Sequence, residues 1–286
     1  MAFWINQSLN SLALGGLLFL LSAGFSLIFG LMRIANLSHG AYFMLGAYVG
    51  LTLLRMGVNF WLAAIGAAVA IALAGGIVER FVLRRLAGRA LSQVLATLGV
   101  AFIIADACLW IWTGDPIPLP GPESLRGTVA FAGTRFPLYR LGVIGFASIL
   151  FVVLWLLLDR TRIGAMIRAG VDDLDMARAV GIPVNTLFTA VFCLGAALAG
   201  MGGVFAGPIL SVYPGLDSDM LPLALVVVIL GGVGSLAGAF IGSMVIGFIY
   251  TFGQALLPDL AYVILFLPMV IVLVVRPRGL FGRVAA

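Results

Sequence analysis

Lysine is missing from this 286-residue chain, so all 16 basic residues are arginine. Without a lysine there is no GxxxxGK[ST] phosphate loop, and any ATP that drives the protein must be hydrolysed by another chain. Histidine occurs once, at His39. A single imidazole, with no Glu/Asp pair near it in sequence, builds neither a metal site nor a Ser-His-Asp set. The two cysteines, Cys108 and Cys193, lie in apolar stretches without CxxC spacing and read as small buried side chains. Charge of either sign is scarce, at 9% of residues. No basic residue precedes Arg33, so the start of the chain does not read as a cleaved signal peptide.

What is present is hydrocarbon. The chain is 63% hydrophobic with a mean hydropathy of +1.21, against roughly 45–50% apolar residues in soluble domains. An all-α polytopic membrane protein is the expectation, since no alternating segments of barrel type occur. The formal charge of +5 is spread between apolar blocks rather than gathered on one face, so lipid is the expected surroundings and nucleic acid is not a partner. Apolar blocks of spanning length fall at about 9–31, 34–54, 59–79, 91–113, 139–158, 186–208, 220–250 and 259–275.

The arginines orient these blocks. Arg33, Arg80, Arg84, Arg85, Arg89, Arg160, Arg162, Arg168, Arg178, Arg276, Arg278 and Arg283 fall on one side, and Arg55, Arg126, Arg135 and Arg140 on the other. The positive-inside rule puts the larger group in the cytoplasm. The Pro-rich segment 114–138 then becomes an external loop, and 159–185 a cytoplasmic one. The same count requires block 220–250 to start and finish outside. Two passes of fifteen residues reach only about 22 Å, short of a hydrocarbon core of roughly 30 Å. A short helical hairpin or re-entrant element is therefore expected, turning at Gly231-Gly232-Val233-Gly234-Ser235, which gives about 8–9 membrane segments in one domain over 1–286. A second glycine-broken stretch runs through Asn36, Ser38, His39 and Gly40, and each break precedes a GxxxG (Gly46/Gly50 and Gly238/Gly242). Broken segments in matching halves point to a transport pathway. The competing reading is close helix packing by small residues.

The longest polar run is Arg168–Pro183, RAGVDDLDMARAVGIP. It reads as one short helix. Asp172 serves as N-cap, and Asp173 and Asp175 lie in the first turn, where the macrodipole favours negative charge. Arg178 sits near the far end, and Gly181 takes the C′ position before Pro183. Leu174, Ala177 and Val180 make a narrow apolar stripe. Such a helix either floats at the membrane surface or plugs into a soluble partner. His39 is expected to be a hydrogen-bonded residue of the bundle or a proton relay. Asp106, a carboxylate within a span, is a functional candidate or a partner for a neighbouring helix. Asp217 and Asp219 are expected to face water or cap a helix. Ion-coupled carriers usually hold several ionisable groups along the pathway, and their scarcity here favours a conduit energised from outside the bilayer.

Four stretches taken together carry a resemblance: FGLMRIANLSHGAYFMLGAYVG (29–50), IRAGVDDLDMARAVGI (167–182), VILGGVGSLAGAFIGSMVIG (228–247) and RPRGLFGR (276–283). With these the chain resembles the H-type permease subunits of bacterial ABC importers for branched-chain (hydrophobic) amino acids, over nearly its whole length. The second stretch is similar to the cytoplasmic EAA-type loop, with Arg168-Ala169-Gly170 where Glu-Ala-Ala would stand. The resemblance implies a multi-pass subunit of the bacterial inner membrane that pairs with a second, similar permease and passes branched-chain or other hydrophobic amino acids, or a related small polar solute, into the cytoplasm. It also implies two cytoplasmic ATPase subunits and a periplasmic solute-binding protein. ATP would bind the ATPases, leaving no cofactor in this chain. Asp172–Val180, with Gly181, would be the coupling helix, and Asn36, Ser38, His39, Gly40, Gly231, Gly232, Gly234 and Ser235 would line the translocation pathway. An ion-coupled carrier or channel, or a purely structural membrane subunit, would instead be stable and competent without ATPases.

Overall fold

The computed structural model describes residues 2–32, 35–131, 134–276 and 279–282, with the backbone alone at 131, 134, 171, 174, 261 and 262. Arg33, Arg278 and Arg283, counted above as markers of sidedness, lie outside the described residues, as does the side chain of Leu174.

The helices, in order, are α1 (Ala2–Met32), α2 (Ser38–Arg55), α3 (Phe60–Val78), α4 (Ala90–Trp112), α5 (Leu138–Arg160), α6 (Arg162–Asp172), α7 (Leu174–Ala179), α8 (Val184–Leu210), α9 (Leu216–Gly231), α10 (Leu236–Leu256) and α11 (Ala261–Val275). Six of the described helices, α1, α3 with its extension to Leu86, α4, α5, α8 and α10, are long and apolar enough to cross a membrane. Helices α2, α9 and α11 are apolar but shorter, whereas α6 and α7 make up the polar loop between α5 and α8. The chain is a polytopic all-α membrane protein. Among the described residues a small antiparallel pair in the 114–138 segment, β1 (Thr128–Phe131) with β2 (Thr134–Pro137), sets Val129 opposite Phe136.

Block 220–250 divides as the arginine count demands, between α9 and α10. Its arms are unequal, however. Helix α9 has 16 residues and α10 has 21, so only α10 is long enough for a straight crossing of about 30 Å. The difference arises because α10 runs on to Leu256, past the end of the apolar block.

Helix α1 forms the centre, buried over most of its length from Ser11 to Leu31. Its small residues admit neighbours on several sides. A Cβ at Gly24 would strike the carbonyl of Gly195 on α8, and one at Gly15 would meet Ser243 and Met244 on α10. Farther along, a Cβ at Gly30 would strike Gly234, so α10 lies antiparallel to α1 along most of its course. The GxxxG pairs serve the same purpose. Gly46 and Gly50 seat α2 on Gly200 and Val204 of α8, and Gly238 and Gly242 seat α10 on Gly231 and Val227 of α9. Lipid gives helices no hydrophobic reason to associate, so this close backbone approach is what holds them. At these glycines the packing reading is the one the geometry bears out.

The C-terminal end of α3 departs from α-helical geometry. Its last turn widens into a π-helix over Glu79–Leu83, followed by a 3-10 turn at Arg84–Leu86. Glu79 is buried there, with its side chain 1% exposed, and is paired with Arg84 through Nη2–Oε2 at 3.1 Å and Nε–Oε1 at 3.3 Å. Thr189 of α8 donates its hydroxyl to Glu79 Oε2 at 2.7 Å, and Arg84 Nη2 donates to the Asn185 carbonyl at 3.1 Å. Gln93, on α4, donates to the Leu83 carbonyl at 3.0 Å.

Candidate functional site

The break before α2 is organised by Asn36. Its Oδ1 accepts the Ser38 amide at 3.1 Å and the Ser38 hydroxyl at 2.6 Å, and its carbonyl accepts the His39 amide at 3.2 Å. Asn36 thereby closes the first turn as a capping side chain does. The Leu37 amide donates to Thr97 Oγ1 of α4 at 3.1 Å. His39 is fully buried: Nε2 lies 2.9 Å from the Leu21 carbonyl, and its ring stands edge-on to Phe25 at 5.4 Å. Leu21 lies eleven residues before Met32, where α1 ends (32 − 21), so α2 begins about 16 Å of helix rise back along α1. Irregular backbone at such depth needs covering by protein, and Asn36 and Thr97 supply it.

Helix α9 begins at the same place. A Cβ at Gly40 would strike the Asp217 carbonyl and Leu221, so the first turns of α2 and α9 touch. Two helix N-termini, each carrying partial positive charge, therefore meet midway along α1. Around them lie buried polar atoms without partners: Ser22 Oγ and Ser26 Oγ on α1, Asn36 Nδ2, His39 Nδ1 and Asp217 Oδ1. Asp217, expected to face water or cap a helix, is half-buried in the first turn of α9, with its backbone carbonyl against Gly40. The sequence carries no periodic signal for that, because the contact depends on how deeply α9 starts.

Gly231, Gly232, Gly234 and Ser235 lie elsewhere. They form the turn from α9 to α10, with positive φ at Gly232 (100°) and Gly234 (76°), and Ser235 caps α10 by accepting from the Gly238 amide at 3.0 Å. The C-terminal segment lies across this turn. The amides of Leu280 and Phe281 donate to the carbonyls of Leu230 and Gly231 at 2.9 and 3.0 Å, satisfying the free end of α9. Along α1 the turn sits at Gly30 and the α2 break at Leu21, nine residues away (30 − 21), or about 13 Å. The eight residues expected to line one pathway thus divide into a mid-depth junction (Asn36, Ser38, His39, Gly40) and a corner at the end of the bundle.

That corner adjoins the polar loop, since Gly170 of α6 packs on Leu31. Within the loop, Asp173 caps α7, accepting the amides of Asp175 and Met176 at 3.0 and 2.9 Å. Asp172, assigned as the cap from sequence, is the last residue of α6, so the expected single helix is two helices meeting at Asp173. Gly181 does close the C-terminus, at φ 86°. It donates to the Arg178 carbonyl while Ile182 donates to that of Ala177, both at 3.0 Å, a Schellman pair. The apolar stripe is divided. Ala177 is buried, whereas Met176 (60%) and Val180 (67%) stand out beside Asp172, Asp173, Asp175 and Arg178. Asp106 belongs to neither place: it points outward from α4 among exposed Phe102, Ile103 and Trp110.

Comparison with known proteins agrees along the whole length. The family described as "Branched-chain amino acid transport system / permease component" matches residues 7–273. The chain is 28% identical to the high-affinity branched-chain amino acid transport system permease protein BraD of Pseudomonas aeruginosa, over 98% of this chain and 96% of that one. It is 26% identical to the permease protein LivH of the corresponding Salmonella typhimurium system, with the same coverage. A probable branched-chain amino acid transport permease protein LivH of Methanocaldococcus jannaschii is 28% identical over 81% of this chain and 75% of its own. No solved structure matches. A family match from α1 to α11, on a bundle with a glycine-turned helical hairpin and a capped polar loop, places this chain among the permease components of branched-chain amino acid transport systems.

Proposed function

We propose that the chain is the membrane subunit through which an ATP-binding-cassette importer passes branched-chain or other hydrophobic amino acids into the cytoplasm. The observation that carries this reading is the family match, end to end, to permease components of branched-chain amino acid systems. The mid-depth junction suits the cargo. An amino acid is a zwitterion, and the facing N-termini of α2 and α9, with the free Asn36 amide, suit its carboxylate. The free Asp217 oxygen suits its ammonium group. In this reading the exposed face of α7 docks into a groove on a cytoplasmic ATPase, with Met176 and Val180 as apolar anchors. A second permease completes the conduit, two ATPases supply the energy, and a periplasmic binding protein delivers the amino acid at the external face. Movement of α7 would reach the bundle through α6, where Gly170 rests on the end of α1.

The test is purification of the tagged chain from its own membrane in mild detergent, alone and with Met176→Asp plus Val180→Asp. Ala177 is unsuitable for this, because it is buried and a charge there would disturb the chain itself. Co-purification of ATPases and a second permease, with the ATPases lost in the double variant, is the expected result. A chain that purifies alone and moves amino acids down an ion gradient would overturn the proposal.

A further inference from the structure

The knot at the end of α3 lies beside the place where the polar loop enters the bundle. From Gly181 the chain passes through Ile182 and Pro183 directly into the first turn of α8. The Asn185 carbonyl and the Thr189 hydroxyl, on the first two turns of α8, are the groups that Arg84 and Glu79 hold. Beyond the knot, the α3–α8 seam is apolar: Gly75 faces Ala196 and Phe192, Gly76 faces Cys193, and Ile71 packs against Gly200. Such a seam holds by van der Waals contact alone, the kind of packing along which helices shear by small slides. A buried carboxylate held by its cation and a hydroxyl sets the register, because pulling them apart leaves a buried charge unpaired. Gln93 braces the same turn from α4.

From this we infer that Glu79, Arg84 and Thr189 are positioning residues that make α3 move as one body with the start of α8 when the polar loop is displaced. The inference rests on the reading of α7 as the ATPase contact and adds, beside the Gly170 contact with α1, a second route by which that displacement enters the bundle. Thr189→Val keeps the shape of the side chain and removes the hydroxyl, Thr189→Ser keeps the hydroxyl, and Arg84→Lys keeps the charge but loses the two-pronged hold on Glu79.

The experiment uses the assembled transporter in proteoliposomes, with ATP hydrolysis and amino-acid uptake measured in the same vesicles. The wild type is measured first. Failure to assemble with ATPases would remove the functional reading itself, before any variant is compared. Given a coupled wild type, Thr189→Val and Arg84→Lys should assemble and hydrolyse ATP normally, while uptake per ATP falls roughly five-fold or more, and Thr189→Ser should match the wild type. An unchanged ratio in Thr189→Val and Arg84→Lys would overturn the inference. So would loss of assembly or melting temperature in step with uptake, which would make the knot a structural brace alone.

Discussion

At the scale of single residues, two neighbouring aspartates show what decides a role. Asp172 and Asp173 are both competent caps by type, and the choice falls to Asp173 because α6 continues through Asp172. Asp173→Ala should destabilise α7 by about 1 kcal/mol, whereas Asp172→Ala should leave it intact, as amide exchange across 174–179 would report. Glu79 was legible only as the last residue of an apolar block. A π-turn has no sequence period, so neither its burial nor its partners on α8 could be read in advance. Arg84→Met should leave that carboxylate unpaired and cost toward the lower end of roughly 3–5 kcal/mol, since Arg84 is itself about one-third exposed (34%). Melting of the purified protein measures this, and adding Glu79→Gln to the same chain should restore much of the loss. At the junction, a charged hydrogen bond contributes roughly 1.5–3 kcal/mol. Asp217→Asn should therefore raise the KM for a zwitterionic amino acid about ten-fold or more, with assembly unchanged, as reconstituted uptake would show.

At the scale of elements, the hairpin was the most legible feature of the chain, and it came from a conflict rather than a pattern. Arginines on both flanks required an apolar stretch to return to the side it left, and the glycines at 231–234 marked the turn. Depth was not legible. Nothing in Asn36-Leu37-Ser38-His39 says that α2 starts beside Leu21 rather than beside Met32. The two breaks expected along one pathway therefore stand at different levels of the bundle. The C-terminal strap was equally hidden, being a pair of backbone hydrogen bonds from Leu280 and Phe281 across the end of α9. Ending the chain at Val275 should free the Leu230 and Gly231 carbonyls. Amide exchange should then rise through Gly232–Ala239 while α1 stays protected, and equal exchange in both forms would show that the strap does not hold the corner.

At the scale of the whole molecule, composition alone gave the class, whereas the sidedness proposed from the arginine count calls for a direct test. A cysteine placed at Glu123 should react with an impermeant maleimide from outside, and one placed at Arg178 only from the cytoplasm. The reverse pattern would invert the topology. Helix α1 carries one more consequence. It is uncharged from Ala2 to Met32, and it runs through the middle of the bundle. Among the six long described helices, the one most covered by protein is therefore made before the helices that cover it. Its neighbours α5, α8 and α10 are synthesised much later, so a nascent α1 spends most of translation with its glycine seams facing acyl chains. Biogenesis thus runs from the axis outward, and quality control has a natural checkpoint. Chains arrested before Val184 should be cleared by membrane proteases, and chains that reach Leu256 should survive.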